Sequence, residues 1–119
     1  MQMYRDQGKL LSPGEIIKDT YVVDCYLGSG AFAEVYRVTH KYLGMQAMKV
    51  LKPHAVRDEG LKLFLSEATL LANMTHPNVV RVFDANSFKS INQELFFIAM
   101  EFVSGETLFQ LIKRKIKIS

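Results

Sequence analysis

Residues 21–49, YVVDCYLGSGAFAEVYRVTHKYLGMQAMK, decide the fold of this chain because strand patterns and turns alternate along them. β-Branched and aromatic residues, or a two-residue apolar period, predict strands at 21–27, 35–39 and 45–51. A glycine turn, GSGAFAEV, joins the first two strands. Ala47 and Lys49 are two residues apart on the third strand and therefore share a face. We expect a hairpin to bring both beneath the glycine turn.

The glycine turn and Lys49 together indicate a phosphate site. Gly28 and Gly30 lack Cβ, so the turn can adopt strained dihedral angles and its backbone can approach a ligand closely. Lys49 adds a compact positive charge. A glycine turn alone is equally consistent with a plain hairpin. The Gly-Lys-Ser/Thr of a Walker A loop does not follow these glycines, and a strand pattern stands where a dinucleotide fold needs a helix.

Composition predicts a folded chain that is one small domain or part of a larger one. Of the 119 residues 49% are hydrophobic, which is enough to bury a core. No apolar run approaches the roughly 20 residues of a membrane span, and residues 1–18 contain no stretch of signal-peptide length. The lone Cys25 excludes an internal disulfide. We therefore expect a cytoplasmic protein, with a membrane anchor further along the chain left open.

The charge distribution argues against a nucleic-acid partner. The formal net charge is +3, but four of the fifteen basic residues crowd the last seven positions, which contain no acid. The remaining eleven basic residues face twelve acidic ones. No aromatic residues are interleaved with the basic tail, so a solvated helix end explains it best.

Apolar residues at helical spacing predict a well-buried helix from about Asp58 to Met74. Asp58 is the expected N-cap, and the helix is expected to end near residues 75–78, where Pro77 stops the hydrogen bonding. Glu67 lies among apolar neighbours of this helix, where a carboxylate is costly unless it is paired. It either reaches water at the edge of the apolar stripe or pairs with Lys49.

The rest of the chain completes a mixed α and β pattern. The predicted elements are a loosely held lead-in at 1–18 with a Pro13-Gly14 turn and a short edge strand at 15–17, a fourth strand at 79–83, a polar loop at 86–93, a fifth strand at 95–103 and a short helix at 107–115.

The pattern Gly-x-Gly-x-x-Ala-x-Val at 28–35, followed by Ala47-Met48-Lys49, resembles the glycine-rich loop and third-strand lysine of protein kinases. Ala33 replaces the usual third glycine, a small departure that keeps room for close packing. By this resemblance Glu67 holds Lys49, which grips the α- and β-phosphates of ATP; these two are the implied catalytic residues. His76-Pro77-Asn78-Val79-Val80 resembles the segment that leads into the fourth kinase strand, which makes His76 structural.

The segment 100–108, MEFVSGETL, looks like the kinase hinge. The resemblance makes Met100 the gatekeeper, has the Glu101 carbonyl accept from the adenine amine, and has the Val103 amide donate to the ring. The nucleotide-contacting residues that it implies are Leu27, Gly28, Ser29, Gly30, Ala31, Phe32, Ala33, Val35, Ala47, Lys49, Met100, Glu101 and Val103, of which Leu27, Val35 and Ala47 roof the base.

The resemblance covers residues 21 to about 115 and is strongest to bacterial serine/threonine kinases of the eukaryotic type. It implies an α+β fold, the kinase small lobe, with a five-stranded antiparallel sheet and one long packed helix over residues 19–119 after the lead-in at 1–18. No His-Arg-Asp or Asp-Phe-Gly occurs in the sequence. The catalytic aspartate, the ligands of Mg²⁺ and the contacts to protein substrates are therefore expected in a large lobe beyond Ser119, and this chain alone is expected to bind ATP poorly.

Three functions stay open. The chain is the ATP-binding part of a kinase that phosphorylates protein Ser/Thr hydroxyls, a free-standing interaction module that docks on another chain and regulates it, or an unrelated nucleotide- or ligand-binding α+β protein. Apolar surface on the hinge side and around Leu108, Leu111 and Ile112 predicts self-association.

Overall fold

The structure, a computed structural model, describes residues 8–56, 60–72, 81–91 and 93–102; at positions 60, 67, 68 and 70–72 it describes the backbone of a helix. Within these residues no helix is both long enough and apolar enough to cross a membrane. The predicted N-cap Asp58, the helix end at 75–78, the helix at 107–115 and the apolar patch around Leu108 lie outside the described residues.

An antiparallel sheet forms the body of the molecule, with strand order β1-β2-β3-β4-β6-β5. Two helices, α1 and α2, follow β4. The elements are β1 (Ile16–Ile17), β2 (Tyr21–Ser29), β3 (Ala33–His40), β4 (Gly44–Leu51), α1 (Pro53–Val56), α2 (Gly60–Ala72), β5 (Val82–Ser90) and β6 (Gln93–Glu101). The strands predicted at 21–27, 35–39 and 45–51 are confirmed, as is the short edge strand, which makes the sheet six-stranded.

The turn between β3 and β4 keeps their register unbroken. The two strands pair from Ala33 opposite Leu51 to His40 opposite Gly44. Gly44 has a φ of 86°, in the left-handed region that favours glycine. His40 Nδ1 accepts hydrogen bonds from the amides of Tyr42 and Leu43, each at 3.1 Å. The sequence Lys41-Tyr42-Leu43-Gly44 therefore turns the chain without an irregularity in the ladder.

One face of the sheet, the front face, packs against both helices. Its buried cluster consists of Ala33, Val35, Ala47, Leu51, Ala55, Phe64, Ile98 and Met100. Among the described side chains of α2, Phe64 is buried in this cluster and Leu61 packs against it, whereas Leu63 and Leu65 are exposed. The predicted helix is present, but the expectation that it is well buried is wrong at Leu63 and Leu65. Successive helical residues are rotated by about 100°, and a single layer of sheet covers only one side of the helix.

The opposite face, the back face, carries a second and bulkier cluster. Its buried residues are Leu11, Ile17, Tyr21, Val23, Tyr36, Val38, Met48, Val50, Phe88, Leu95, Phe97 and Ala99. The ring of Phe97 lies 5.5 Å from that of Tyr21 and 5.8 Å from that of Phe88, in tilted or edge-on arrangements that aromatic pairs favour. Residues that alternate along β2, β3, β4 and β6 thus supply two cores.

The lead-in is packed rather than loosely held over its described residues. Leu11 and Ile17 are buried in the back-face cluster. The Gly14 amide donates to the Val23 carbonyl at 2.7 Å, and the Val23 amide donates to the Glu15 carbonyl at 2.9 Å. The expectation was wrong because residues 8–14 show neither helical nor strand periodicity, so no local pattern indicated that Leu11 packs on the back face of the sheet.

The polar loop predicted at 86–93 is also wrong. β5 continues to Ser90, and β6 begins at Gln93 after a tight turn. Phe88 and Ser90 are buried, while the intervening Lys89 is exposed. β5 is the edge strand of the sheet, where polar residues on the outward side are tolerated, so its polarity concealed the strand.

Candidate nucleotide-binding site

The strand register aligns the glycine turn with Lys49. Gly28 of β2 lies opposite Val35 of β3, Val35 lies opposite Lys49 of β4, and Lys49 lies opposite Ile98 of β6. Neighbouring strands are about 4.8 Å apart, so Lys49 lies two strands, or about 10 Å, from Gly28. Lys49 is half-buried between the apolar side chains of Val35 and Ile98. A single ammonium group in such surroundings attracts an anion more strongly than one in bulk water.

The apolar residues assigned to the base form the adjoining row. Ala47 lies directly opposite Met100, and both belong to the front-face cluster with Val35, against which Leu27 packs. The exposed fractions of Val35, Ala47 and Met100 are 1%, 0% and 1%. The roof is therefore assembled but covered, and a planar base reaches it only when the side chains packed over it move aside.

The glycine turn is a tight connection whose tip faces solvent. The Gly30 amide donates to the Ala33 carbonyl at 2.9 Å, while Ala31 and Phe32 form an exposed bend between them. Among the described residues the positive-φ glycines are Gly8, Gly14 and Gly44, so the strained dihedral angles expected at Gly28 and Gly30 are not found. The property that remains relevant at these two positions is the absence of a side chain between backbone and ligand.

Lys52 was not predicted as part of the site, yet it holds the glycine turn. Its amide donates to the Phe32 carbonyl at 2.7 Å, and its Nζ donates to the Gly30 carbonyl at 2.8 Å. Sequence reasoning missed it because Lys52 follows the end of β4 and belongs to no recognisable motif. The contact depends on the β3–β4 hairpin, which brings the two ends together.

The protein kinase domain family matches residues 21–119. This chain belongs to the protein kinase family. Its relatives include the probable serine/threonine-protein kinase PknB of Lactococcus lactis, 34% identical over 108 residues that cover 88% of this chain and 17% of that protein. A probable serine/threonine-protein kinase of Clostridium perfringens is 36% identical over 104 residues, covering 86% of this chain and 15% of that protein. The chain thus spans about one sixth of the length of these relatives.

Family membership confirms the sequence-based resemblance and the α+β fold of the kinase small lobe. It excludes an unrelated nucleotide-binding protein. The kinase resemblance assigns the glycine-rich loop to the turn between β2 and β3, the lysine to β4 and the hinge to the end of β6.

The described part of the predicted hinge is hydrogen-bonded to Arg81, the residue directly before β5. The Glu101 amide donates to the Arg81 carbonyl at 2.8 Å, and the Arg81 amide donates to Glu101 Oε1 at 3.2 Å. These bonds anchor the end of β6 directly after Met100. Val103, the other predicted hinge contact, lies outside the described residues.

The predicted pair between Lys49 and Glu67 stays a prediction. Glu67 occupies a position in α2 one turn after Phe64, which belongs to the front-face cluster. Its side chain is outside the described part of the structure.

Proposed function

We propose that this chain forms the ATP-binding small lobe of a serine/threonine protein kinase that transfers the γ-phosphate of ATP to protein hydroxyls. The observation that carries the proposal is the register that aligns Gly28, Val35 and Lys49 across three neighbouring strands. A phosphate-binding turn, a residue of the apolar roof and a lysine on one row suit a nucleotide whose base and phosphates lie side by side along the sheet.

Each part of the site has a chemical role in this proposal. Leu27, Val35 and Ala47 cover one face of the adenine, and Met100 limits the depth of its pocket. The backbone of residues 28–33 lies over the phosphates, and Lys49, oriented by Glu67, neutralises charge on the α- and β-phosphates. Beyond Met100, the Glu101 carbonyl and the Val103 amide read the edge of the adenine.

The residues present fit an adenine nucleotide, but with weak affinity. The cluster is apolar and carries a cation at its edge, as such a ligand requires. The covered roof must open before a base enters, and a binding-competent state that is populated only in part weakens the apparent affinity by that fraction.

Phosphoryl transfer also needs an aspartate that orients the substrate hydroxyl and ligands for Mg²⁺. The 119 residues contain neither His-Arg-Asp nor Asp-Phe-Gly. In the proposed enzyme these groups, and the surface that binds protein substrates, come from residues outside this sequence. When bound by those residues, Mg²⁺ would supply further positive charge for the phosphates, beside the charge that Lys49 provides.

The test is an ATP titration of the 119-residue chain, followed by the amide NMR signals of residues 27–35 and 47–49. We expect saturable shifts at these amides. Lys49→Met is expected to weaken binding by about tenfold or more, because it removes a charge-assisted contact to phosphate.

Lys41→Met is the matched control, since it removes the same charge from the exposed turn between β3 and β4. It should leave the affinity for ATP unchanged. If both substitutions weakened binding equally, the effect of Lys49→Met would come from the change in net charge and not from a specific contact. If saturating ATP left the amide signals of the site unshifted, the interaction-module alternative would be favoured.

A further inference from the structure

The segment Gly8 to Ile17, termed the strap, covers the back face behind the glycine-rich loop. Its middle is anchored by Leu11 and its end by Ile17, both in the back-face cluster. Glu15 Oε1 accepts from the Ser12 amide at 3.1 Å within the strap, and Glu15 Oε2 accepts from Ser90 Oγ of β5 at 3.0 Å, which fastens the strap to the far edge of the sheet. The strap is therefore an ordered part of the lobe.

A buried polar junction joins the strap to β3. The Leu10 amide donates to Glu34 Oε1 at 2.9 Å, and the Leu11 amide donates to the Tyr36 hydroxyl at 3.0 Å. The Tyr36 hydroxyl in turn donates to the same Glu34 oxygen. Glu34 is only 7% exposed and Tyr36 is buried, so each of these bonds replaces water that neither group can reach.

Glu34 also lies at the end of the glycine-rich loop. It pairs with Ser29 across β2 and β3, and it directly follows Ala33, whose carbonyl accepts from the Gly30 amide. Alternation along β3 directs Ala33 and Val35 to the front face and Glu34 and Tyr36 to the back face. The adjacent residues Ala33 and Glu34 therefore connect the glycine-rich loop with the strap on the back face.

The junction is built to persist across ordinary pH. Burial, and then the hydrogen bond to Glu34, raise the pKa of Tyr36 above its usual range, so the phenol stays a proton donor. Lys9 Nζ lies 4.3 Å from the centre of the Tyr26 ring, which packs edge-on against Tyr36 at 5.7 Å. If the strap left, Glu34 Oε1 would lose the hydrogen bond from the Leu10 amide, and the Tyr36 hydroxyl would lose the one from the Leu11 amide.

We propose that Glu34 and Tyr36 are positioning residues through which the strap holds the glycine-rich loop, so that nucleotide affinity at the front face depends on the strap being docked at the back. The nucleotide part rests on the proposed function, whereas the coupling of strap and loop does not.

The test compares Tyr36→Phe with Tyr21→Phe by hydrogen exchange and by ATP titration of the 119-residue chain. The two substitutions are matched, because each deletes a buried phenol hydroxyl from the back-face cluster; Tyr21 donates to Asp84 Oδ2 at 3.0 Å, away from the strap junction. We expect Tyr36→Phe to speed exchange about tenfold both in the strap and at residues 28–33, as the loss of a buried hydrogen bond predicts. It should weaken ATP binding by about three- to tenfold, while Tyr21→Phe changes neither loop exchange nor affinity.

Glu34→Gln supplies a second variant that keeps the size of the side chain and weakens its role as an acceptor. It should also speed hydrogen exchange in the strap and at residues 28–33, but by a smaller factor than Tyr36→Phe. Faster exchange in the strap with unchanged exchange at residues 28–33, in both variants, would overturn the coupling.

Failure of the proposed function has a different signature. In that case the wild-type chain would not respond to ATP, while Tyr36→Phe would still loosen the loop. A wild-type chain that binds ATP, together with a Tyr36→Phe variant of equal affinity, would overturn the proposed role in nucleotide binding alone.

Discussion

The two faces of the sheet are made by the same strands but differ in what they pack. The front-face cluster includes three alanines, Ala33, Ala47 and Ala55, next to the proposed nucleotide site. The back-face cluster includes four large aromatic residues, Tyr21, Tyr36, Phe88 and Phe97. Small side chains bury little area, whereas aromatic ones bury the most area and dominate the stability of a core. We infer that the lobe keeps its stability on the back and its chemistry on the front.

The polar groups follow the same division. The front face carries the half-buried Lys49, suited to an anion. On the back face, Glu34 and Tyr36 are satisfied by each other and by the strap. Substitutions confined to one face test whether stability and nucleotide binding are divided between the two faces in this way.

The largest expected effect is that of Phe97→Ala. Phe97 is completely buried between two other aromatic rings, so its truncation should lower the free energy of unfolding by about 3–5 kcal/mol. Urea unfolding followed by circular dichroism measures this cost. Phe32→Ala, at the exposed tip of the glycine turn, serves as the control and should stay within about 0.5 kcal/mol. A cost below about 1 kcal/mol for Phe97→Ala would contradict the inference that the back face supplies most of the stability.

Two adjacent isoleucines of β1 test whether the strap belongs to that core. Ile17 is 1% exposed and Ile16 is 64% exposed. Ile17→Ala should cost about 2–5 kcal/mol by the same unfolding measurement, and Ile16→Ala within about 0.5 kcal/mol. Similar small costs for both substitutions would show that the strap is loosely held and does not belong to the core.

The smallest effect is a loss of stability at alkaline pH. Burial, followed by hydrogen bonds to Asp84 and Glu34 respectively, raises the pKa of Tyr21 and Tyr36 above their ordinary value of 10.0. The folded state therefore holds these protons when the unfolded state releases them, so their stabilisation is complete below pH 10 and is lost as pH rises above it.

The measurement is the melting temperature between about pH 7 and pH 11, for the wild type and for the Tyr21→Phe, Tyr36→Phe double variant. Lysine titration affects both proteins alike, so the difference isolates the two phenols. The double variant should show the shallower decline above pH 10, and parallel curves would contradict the raised pKa values.

Local patterns sufficed for much of the front face. The shared face of Ala47 and Lys49, the strands that flank the glycine turn and the presence of a helix after β4 were all predicted from short windows, because a side chain's face follows from the local backbone period. The kinase resemblance then supplied the roles of these residues. What local patterns could not supply was the covered state of the roof, since the burial of Val35, Ala47 and Met100 depends on side chains from distant elements.

The back face escaped sequence reasoning for the same physical reason. Leu11 and Tyr36 are 25 residues apart, and Glu15 and Ser90 are 75 residues apart, so no window along the chain links them. Lys52 likewise reaches Gly30 only through the completed hairpin.

The amino-acid sequence alone thus specified the family, the strands around the glycine-rich loop and the lysine beneath it, because these depend on local periodicity and on motif spacing. Only the assembled sheet buries Leu11 and Ile17 of the strap in a core and makes Glu34 of β3 the acceptor that holds the strap. Those properties arise from burial and hydrogen bonding between segments that meet only after folding.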